Sequence, residues 1–263
     1  MSSALKILQN GTFWFTERTH LNDPTEIRLG LKIAQTVLDQ MGLTIEAKAL
    51  SSRADDIFRD FRFFSASFSL EGDDHAQWRD YGDSGRGIAL SFNKFAFTDP
   101  KPYVDQIIGG NPTAFICPMS YGSYELRTVI ESIIQKWSGR DLLELCDHVF
   151  MIAAMFKNDR WKVEREFRFF IHEKRHSIIS NLRFQTRERN GDLVSYLDIP
   201  IQNWTSRDNF PLWKLTLGPM AAPGLKSQLE DVIFSQNLPI HPDFIVNSGS
   251  SGDINSADRI PGT

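Results

Sequence analysis

The chain has little cysteine, no long apolar run and no excess of positive charge. Its 263 residues include two cysteines, Cys117 and Cys146. Two thiols build neither a disulfide framework nor a four-thiolate zinc site, so both are expected as buried thiols in a reducing compartment. The longest apolar stretch, around Val149 to Phe156, falls short of the roughly 18 residues that a membrane span needs. The start, Met1-Ser2-Ser3-Ala4-Leu5-Lys6, lacks the apolar centre of a secretory signal. The expectation is a cytoplasmic protein with no membrane partner, or one delivered to a target cell by a signal-independent system. Lys and Arg number 29 against 33 Asp and Glu, a formal charge of −4, which argues against coating nucleic acid through phosphate contacts.

What is present is an ordinary globular composition, 41% hydrophobic and 24% charged, which argues against disorder. Phenylalanine is abundant, 20 residues beside 6 Trp and 5 Tyr. Most of these rings fall in strand-like runs and are expected in the core, with a few left to line a slot for a flat ligand.

Periodicity predicts the elements. A strand is expected at Gly11–Thr16. A helix should start near Asp23-Pro24-x-Glu26, with Asp23 as N-cap and Glu26 closing a capping box, and stop at Gly42. Residues 61–69 read as a strand. A short helix from Asp73 or Asp74 should carry Trp78 and Tyr81 and end at Gly82. Gly85-Arg86-Gly87 then turns the chain into a strand, Ile88–Phe92. Thr98 to Pro112 reads as a loop and Phe115–Tyr121 as a strand. Tyr124–Trp137 and a second segment capped by Asp141 form a helical hairpin. Later strands are expected at Glu166–Ile171, Val194–Ile201, Trp213–Leu217 and Phe244–Val246, and a helix at Gly224–Gln236. Strands and helices come in blocks rather than strict alternation, which predicts α+β over a doubly wound fold. The expected architecture is one α+β domain over residues 1–247. It has a mixed, mainly antiparallel split sheet with flanking helices, a helical hairpin inserted at about 124–158, and a flexible tail at 248–263.

Three constellations could carry chemistry. His172-Glu173-Lys174-Arg175-His176 matches the H-E-x-x-H string, which on a helix puts two His on one face for zinc, with Glu173 polarising a bound water. Here the middle residues are charged and the preceding run alternates like a strand, so the string is expected at a strand end, without a metal. In Trp161-Lys162-Val163-Glu164-Arg165-Glu166-Phe167-Arg168, a strand would put Glu164 and Glu166 on one face, which is costly unless that face lines a cleft. Ser65, Ser67 and Ser69 share one strand face, a row of hydroxyls suited to a sugar. No nucleophile-elbow serine motif, dinucleotide glycine fingerprint or P-loop is present.

Taken in order, several stretches resemble a bacterial family known as domain of unknown function 2971. They are Asn22-Asp23-Pro24-x-Glu26, then Trp78-x-x-Tyr81-Gly82 with Gly87 leading into a strand. Lys157-x-x-x-Trp161-x-x-Glu164-x-Glu166-x-Arg168 and Leu217-Gly218-Pro219 follow. The layout is also remotely similar to the ADP-ribosyltransferase superfamily, through Ser65-Ala66-Ser67 on a central strand, Tyr81 on the short helix after it, and Glu164-Arg165-Glu166 opening a late strand. The first strand, Phe13-Trp14-Phe15-Thr16, has no His or Arg in the place where that similarity implies one.

The resemblance implies an enzyme that takes NAD as substrate and transfers ADP-ribose to a macromolecular acceptor, protein or nucleic acid, as a toxin, effector or phage-defence factor. Glu166 would stabilise the positive charge that builds on the ribose as nicotinamide leaves, and Glu164 would orient the acceptor or take its proton. Ser65 and Ser67 would hold the ribose. Tyr81 would stack on nicotinamide, Trp14 or Trp78 would wall the slot, and Arg86 or Arg62 would pair with the diphosphate. Two alternatives stay open: a zinc-dependent hydrolase on His172 and His176, and a catalytically inactive nucleotide sensor or protein-interaction domain.

Overall fold

The computed structural model describes residues 3–20, 25–93, 113–137, 139, 141–174, 184–189, 191–201 and 210–249. Asp23, Pro24, His176, the expected loop at 98–112 and the tail beyond Gly249 lie outside them. The fold is α+β with mainly antiparallel open sheets, as the block order predicts. The chain divides into two compact units, each built from separated segments: Thr12–Leu70 with Phe97–Ile201, and Met1–Gly11 with Glu71–Ala96 and Gln202–Thr263.

The larger unit holds a six-stranded sheet. Its strands are β1 (Thr12–Glu17), β2 (Phe61–Ser69), β4 (Thr113–Pro118), β7 (Glu166–Lys174), β8 (Phe184–Arg189) and β9 (Asp192–Pro200). Their order is β4-β7-β2-β1-β9-β8, and every neighbouring pair is antiparallel. Alternation along each strand sorts the side chains. One face carries Phe13, Phe15, Phe64, Phe169, Leu197 and Ile199, all buried. The registers put Trp14, Thr16, Ser65, Ser67, Arg168, Tyr196 and Asp198 together on the other.

Helices α2 (Glu26–Gln40), α3 (Thr44–Asp60), α5 (Ser123–Lys136) and α6 (Leu142–Ala154) share one apolar core in this unit. That core reaches the polar-bearing face through Phe63, which packs on Phe58 and Phe150. The expected hairpin is present as α5 and α6, and Asp141 does cap α6, accepting from the Glu144 N–H. Gly30 lets α2 cross α6 closely, since a Cβ there would lie 2.3 Å from the Ala153 carbonyl oxygen. A bidentate pair from Arg53 to Asp147 ties α3 to α6. Short parallel strands β5 (Ser120–Tyr121) and β6 (Phe156–Lys157) flank the hairpin.

The smaller unit has a three-stranded sheet, β11 (Ile245–Asn247), β10 (Leu212–Leu217) and β3 (Ile88–Phe92), in that order. Helices α1 (Ser3–Asn10) and α7 (Leu225–Ser235) contribute Leu8, Leu229 and Ile233 to its core. Helix α4 (His75–Asp80) starts where Asp74 accepts from the Ala76 and Gln77 N–H groups. Gly218 comes so close to the Gly85 carbonyl that a Cβ would meet its oxygen at 2.2 Å.

The capping box expected between Asp23 and Glu26 rests on a residue outside those described; α2 begins at Glu26, Thr25 at its N-cap makes no side-chain cap hydrogen bond, and the Glu26 carboxylate reaches to Arg168 on β7. One local expectation is corrected. Glu164 is not on the strand with Glu166. It ends a 3-10 turn, Asp159–Glu164, and Arg165 then adopts a left-handed conformation, φ 43°.

Candidate functional site

The left-handed kink at Arg165 decides the geometry. In a continuous strand, alternation alone would align Glu164 with Glu166. Here a residue with a Cβ is held in a conformation that costs about 1–3 kcal/mol, and both flanks are pinned. The Ser69 hydroxyl donates to the Glu164 carbonyl at 2.8 Å, and the Leu70 N–H donates to the Arg165 carbonyl at 3.0 Å. The Glu166 N–H donates to the Tyr121 hydroxyl at 2.7 Å, and its carbonyl accepts from Met119 at 3.0 Å. The strand therefore begins at a fixed point, with Glu166 registered opposite Ser69.

Both carboxylates meet at Lys157. Its ammonium donates to Glu164 and, at 2.6 Å, to Glu166, and lies 3.6 Å from Glu26. Arg168 donates from Nε to Glu166 Oε1 at 2.6 Å, from Nη2 to Glu166 Oε2 at 2.9 Å, and from Nη1 to Glu26 Oε2 at 2.9 Å. All five residues are 6% exposed or less. Burial by itself raises the Glu166 carboxyl pKa, but the charges and hydrogen bonds of Arg168 and Lys157 outweigh it and hold the group below the usual carboxylate range. Burial would lower Lys157 and Arg168, yet Glu166 and its neighbours hold both above their ordinary values.

Serines 65 and 67 stand on the strand beside this network. Ser67 registers opposite Arg168 and is exposed, so the polar-bearing face meets solvent there. Ser65 is buried, and among the described residues its hydroxyl has no hydrogen-bond partner. From the register position of Glu166, Ser67 is two residues along β2 and Ser65 four, about 7 and 14 Å at a strand rise of about 3.4 Å. Trp14 lies on the same face, its ring 5.2 Å from that of Tyr196. Arg62 lays its guanidinium over the Phe184 ring, with Nε buried and, among the described residues, without a hydrogen-bond partner.

The other expected site residues belong to the smaller unit. Trp78 is 5% exposed, with its indole N–H bonded to Asp73 at 2.6 Å; it is a core ring there. Tyr81 follows the last residue of α4 and is half exposed. Arg86 is exposed and paired with Asp83. As for the zinc alternative, His172 and Glu173 lie on strand β7 and not on a helix. The His172 ring stacks near Phe61 and Phe63, and burial lowers its pKa. Among the described residues no three His, Cys, Asp or Glu side chains are placed to hold a metal ion, and no helix is long and apolar enough to cross a membrane. A groove of about 460 Å³ opens between α2 and α5, lined by Leu29, Ile33, Val37 and Tyr124 among others, and contains none of the residues above.

Lys157, Arg168 and Glu26 are the network members that sequence reasoning did not place in the site. One signal was available: Arg168 is a charge inside the run Phe167–Ile171 of otherwise apolar residues, and charges are almost never fully buried unless paired.

A family model described as Protein of unknown function (DUF2971) matches residues 77–169. That stretch includes Lys157, Glu164, Glu166 and Arg168, and the description names no activity. No curated protein and no solved structure matches the chain.

Proposed function

We propose that this chain is an ADP-ribosyltransferase that cleaves the nicotinamide–ribose bond of NAD and passes ADP-ribose to a macromolecular acceptor. In that reaction the C1′–N bond breaks and its electron pair leaves with neutral nicotinamide. The acceptor then bonds to C1′ and gives up its proton. The observation that carries the reading is Glu166, a carboxylate held ionised at the opening of β7, one strand away from the exposed hydroxyl of Ser67. Developing charge on the ribose is offset by a fixed carboxylate that needs no reorganisation. Ser67, about 7 Å along the strand, suits the ribose hydroxyls better than Ser65. A buried network of this size also asks for a reason, because burying each ion costs several kcal/mol and apolar packing often serves stability as well.

The resemblance assigns Glu164 to the acceptor's proton, with NAD as the only small molecule required. Glu166→Gln should lower nicotinamide release from NAD by about 10²–10³-fold. Because Glu166 neutralises two buried cations, that variant is also expected to lose stability. Ser67→Ala, at an exposed position, is the companion that leaves the fold untouched and should raise KM for NAD. Full activity in Glu166→Gln would overturn the assignment.

A second reading is favoured by one fact: both Glu166 oxygens already hold hydrogen bonds to Lys157 or Arg168. On that reading the network is a polar core and the domain senses or binds nucleotides without turnover. NAD binding without nicotinamide release, in the wild type, would decide for it.

A further inference from the structure

Arg187 stands on β8, its Cα register partner Val194 on β9, and its guanidinium turns onto the sheet face that carries Trp14 and Thr16. The carbon Cζ lies 4.5 Å from the Trp14 ring centre and 5.4 Å from that of Tyr196. Nη2 donates to the Thr16 hydroxyl at 3.3 Å, a long contact. Among the described residues, the buried Nε has no hydrogen-bond partner and no ion pair joins Arg187. The same edge of the guanidinium, Nε with Nη2, is filled elsewhere in this chain by carboxylates. Arg53 grips Asp147 at 2.7 and 3.0 Å, and Arg79 grips Asp80 at 2.7 and 2.8 Å. On Arg187 no carboxylate among the described residues fills that edge: Nη2 meets the Thr16 hydroxyl and the buried Nε goes unmatched. Burial, and repulsion from Arg189, lower the pKa of Arg187, so its charge is held in an unfavourable place.

Among the described residues, three further buried polar atoms on this face lack partners: the hydroxyl of Thr12, two residues before Trp14 on β1, the hydroxyl of Ser65, which registers opposite Thr16, and Oδ1 of Asp198, which registers opposite Trp14. The last two flank the guanidinium's neighbours Thr16 and Trp14. Buried polar groups are ordinarily satisfied, and a charged one left unmatched carries a large desolvation penalty. A guanidinium edge without a carboxylate matches two oxygens of a phosphate in a planar fork, which would replace the long contact to Thr16. Asp198 repels an anion and accepts from hydroxyls. A ligand that satisfies both carries a phosphate and a sugar together.

We propose that Arg187, braced on Trp14, binds the diphosphate of a nucleotide, with Ser65 donating to the same group and Asp198 accepting from a ribose hydroxyl. With the transferase reading, on which the assignment of the ligand as NAD rests, Arg187 is a binding and specificity residue for the dinucleotide and not part of bond cleavage.

The test uses the full chain, with ADP-ribose and inorganic pyrophosphate as titrants in calorimetry and NAD and nicotinamide riboside as substrates. Arg187→Gln should weaken ADP-ribose binding by at least about tenfold. It should raise KM for NAD with kcat unchanged, and leave turnover of nicotinamide riboside, which has no diphosphate, as in the wild type. Arg187→Lys keeps the charge over Trp14 and loses the fork, so it should also weaken ADP-ribose, and it serves if the Gln variant does not fold. If Arg187→Gln binds ADP-ribose and releases nicotinamide as the wild type does, the diphosphate seat is wrong and the transferase reading stands. If the wild type binds pyrophosphate and ADP-ribose through Arg187 yet never releases nicotinamide, the seat stands and the transferase reading falls. A wild type that binds neither ADP-ribose nor pyrophosphate sinks the seat.

Discussion

Replacing Arg168 by methionine removes the central cation of the buried network while keeping a long, flexible side chain in its place. The wild-type guanidinium gives three hydrogen bonds to two carboxylates, at 2.6, 2.9 and 2.9 Å, from a residue 3% exposed. Breaking one side of a buried ion pair typically costs about 3–5 kcal/mol, because the partner stays buried without compensation. Here two carboxylates lose a partner and Lys157 remains beside both, so the same range applies rather than its double. At about 2–4 °C per kcal/mol for a domain of this size, the thermal midpoint should fall by about 6–20 °C. Circular dichroism melts at pH 7 read this directly. The loss should shrink near pH 4, where an orphaned carboxylate sheds its charge by protonation and the wild-type network is itself weakened. A midpoint within about 2 °C of wild type at pH 7 would refute the reasoning, since the five groups would then not be energetically coupled.

Acid should weaken the wild type through the same site. The folded pKa of Glu166 is depressed, so its contribution is fully present above the unfolded value of about 4.3 and is lost as pH falls through the folded one. Urea midpoints should be flat from pH 7 to about 5 and drop below about 4.3, with a shallower drop in Glu166→Gln. At the α2–α6 crossing, Gly30→Ala places a Cβ 2.3 Å from a backbone oxygen. The helices must part, and overpacking of this kind costs about 1–3 kcal/mol, read as a lower urea midpoint with an unchanged m-value.

The sequence spoke clearly where periodicity and punctuation agreed. β2 and β3 have the expected bounds, and Asp74 and Asp141 cap the helices they precede. It was silent where one of the two signals was missing. Helix α3 buries Ala47, Leu50, Ala54, Ile57 and Phe58, a stripe with two small residues. Leu43 at its N-cap makes no side-chain bond, so nothing marks its start. Helix α1 is eight residues long with Leu8 as its one buried side chain, too little for a pattern. Strand β8 shows exposed residues at all positions but Arg187 and so lacks apolar alternation, although Asn190-Gly191 is a strong hairpin signal. The site was half legible. Glu164 and Glu166 do share one cation, but for a reason that strand alternation misstated: the left-handed Arg165 re-aims a residue that is not in the strand. Partners such as Glu26, 142 residues from Arg168, are set by the sheet and helix packing and leave no local trace.

The charge count of the network bears on how a paired carboxylate could still serve a cationic transition state. A carboxylate matched one-to-one with a cation presents little field to a ligand. In this network three carboxylates share two cations, so the formal balance keeps one negative charge in surroundings of low dielectric, where fields are weakly screened. If that excess is what offsets positive charge on the ribose, removing a carboxylate that touches no substrate should still slow the reaction. Glu26→Gln is the sharpest case. Its amide oxygen can keep the bond to Arg168, its volume is unchanged, and one negative charge disappears. The expected result is a lower kcat for nicotinamide release with KM for NAD unchanged, and a smaller loss of thermal stability than in Arg168→Met. An unchanged kcat would mean that the excess charge does no chemical work, and the network would then stand as polar core alone.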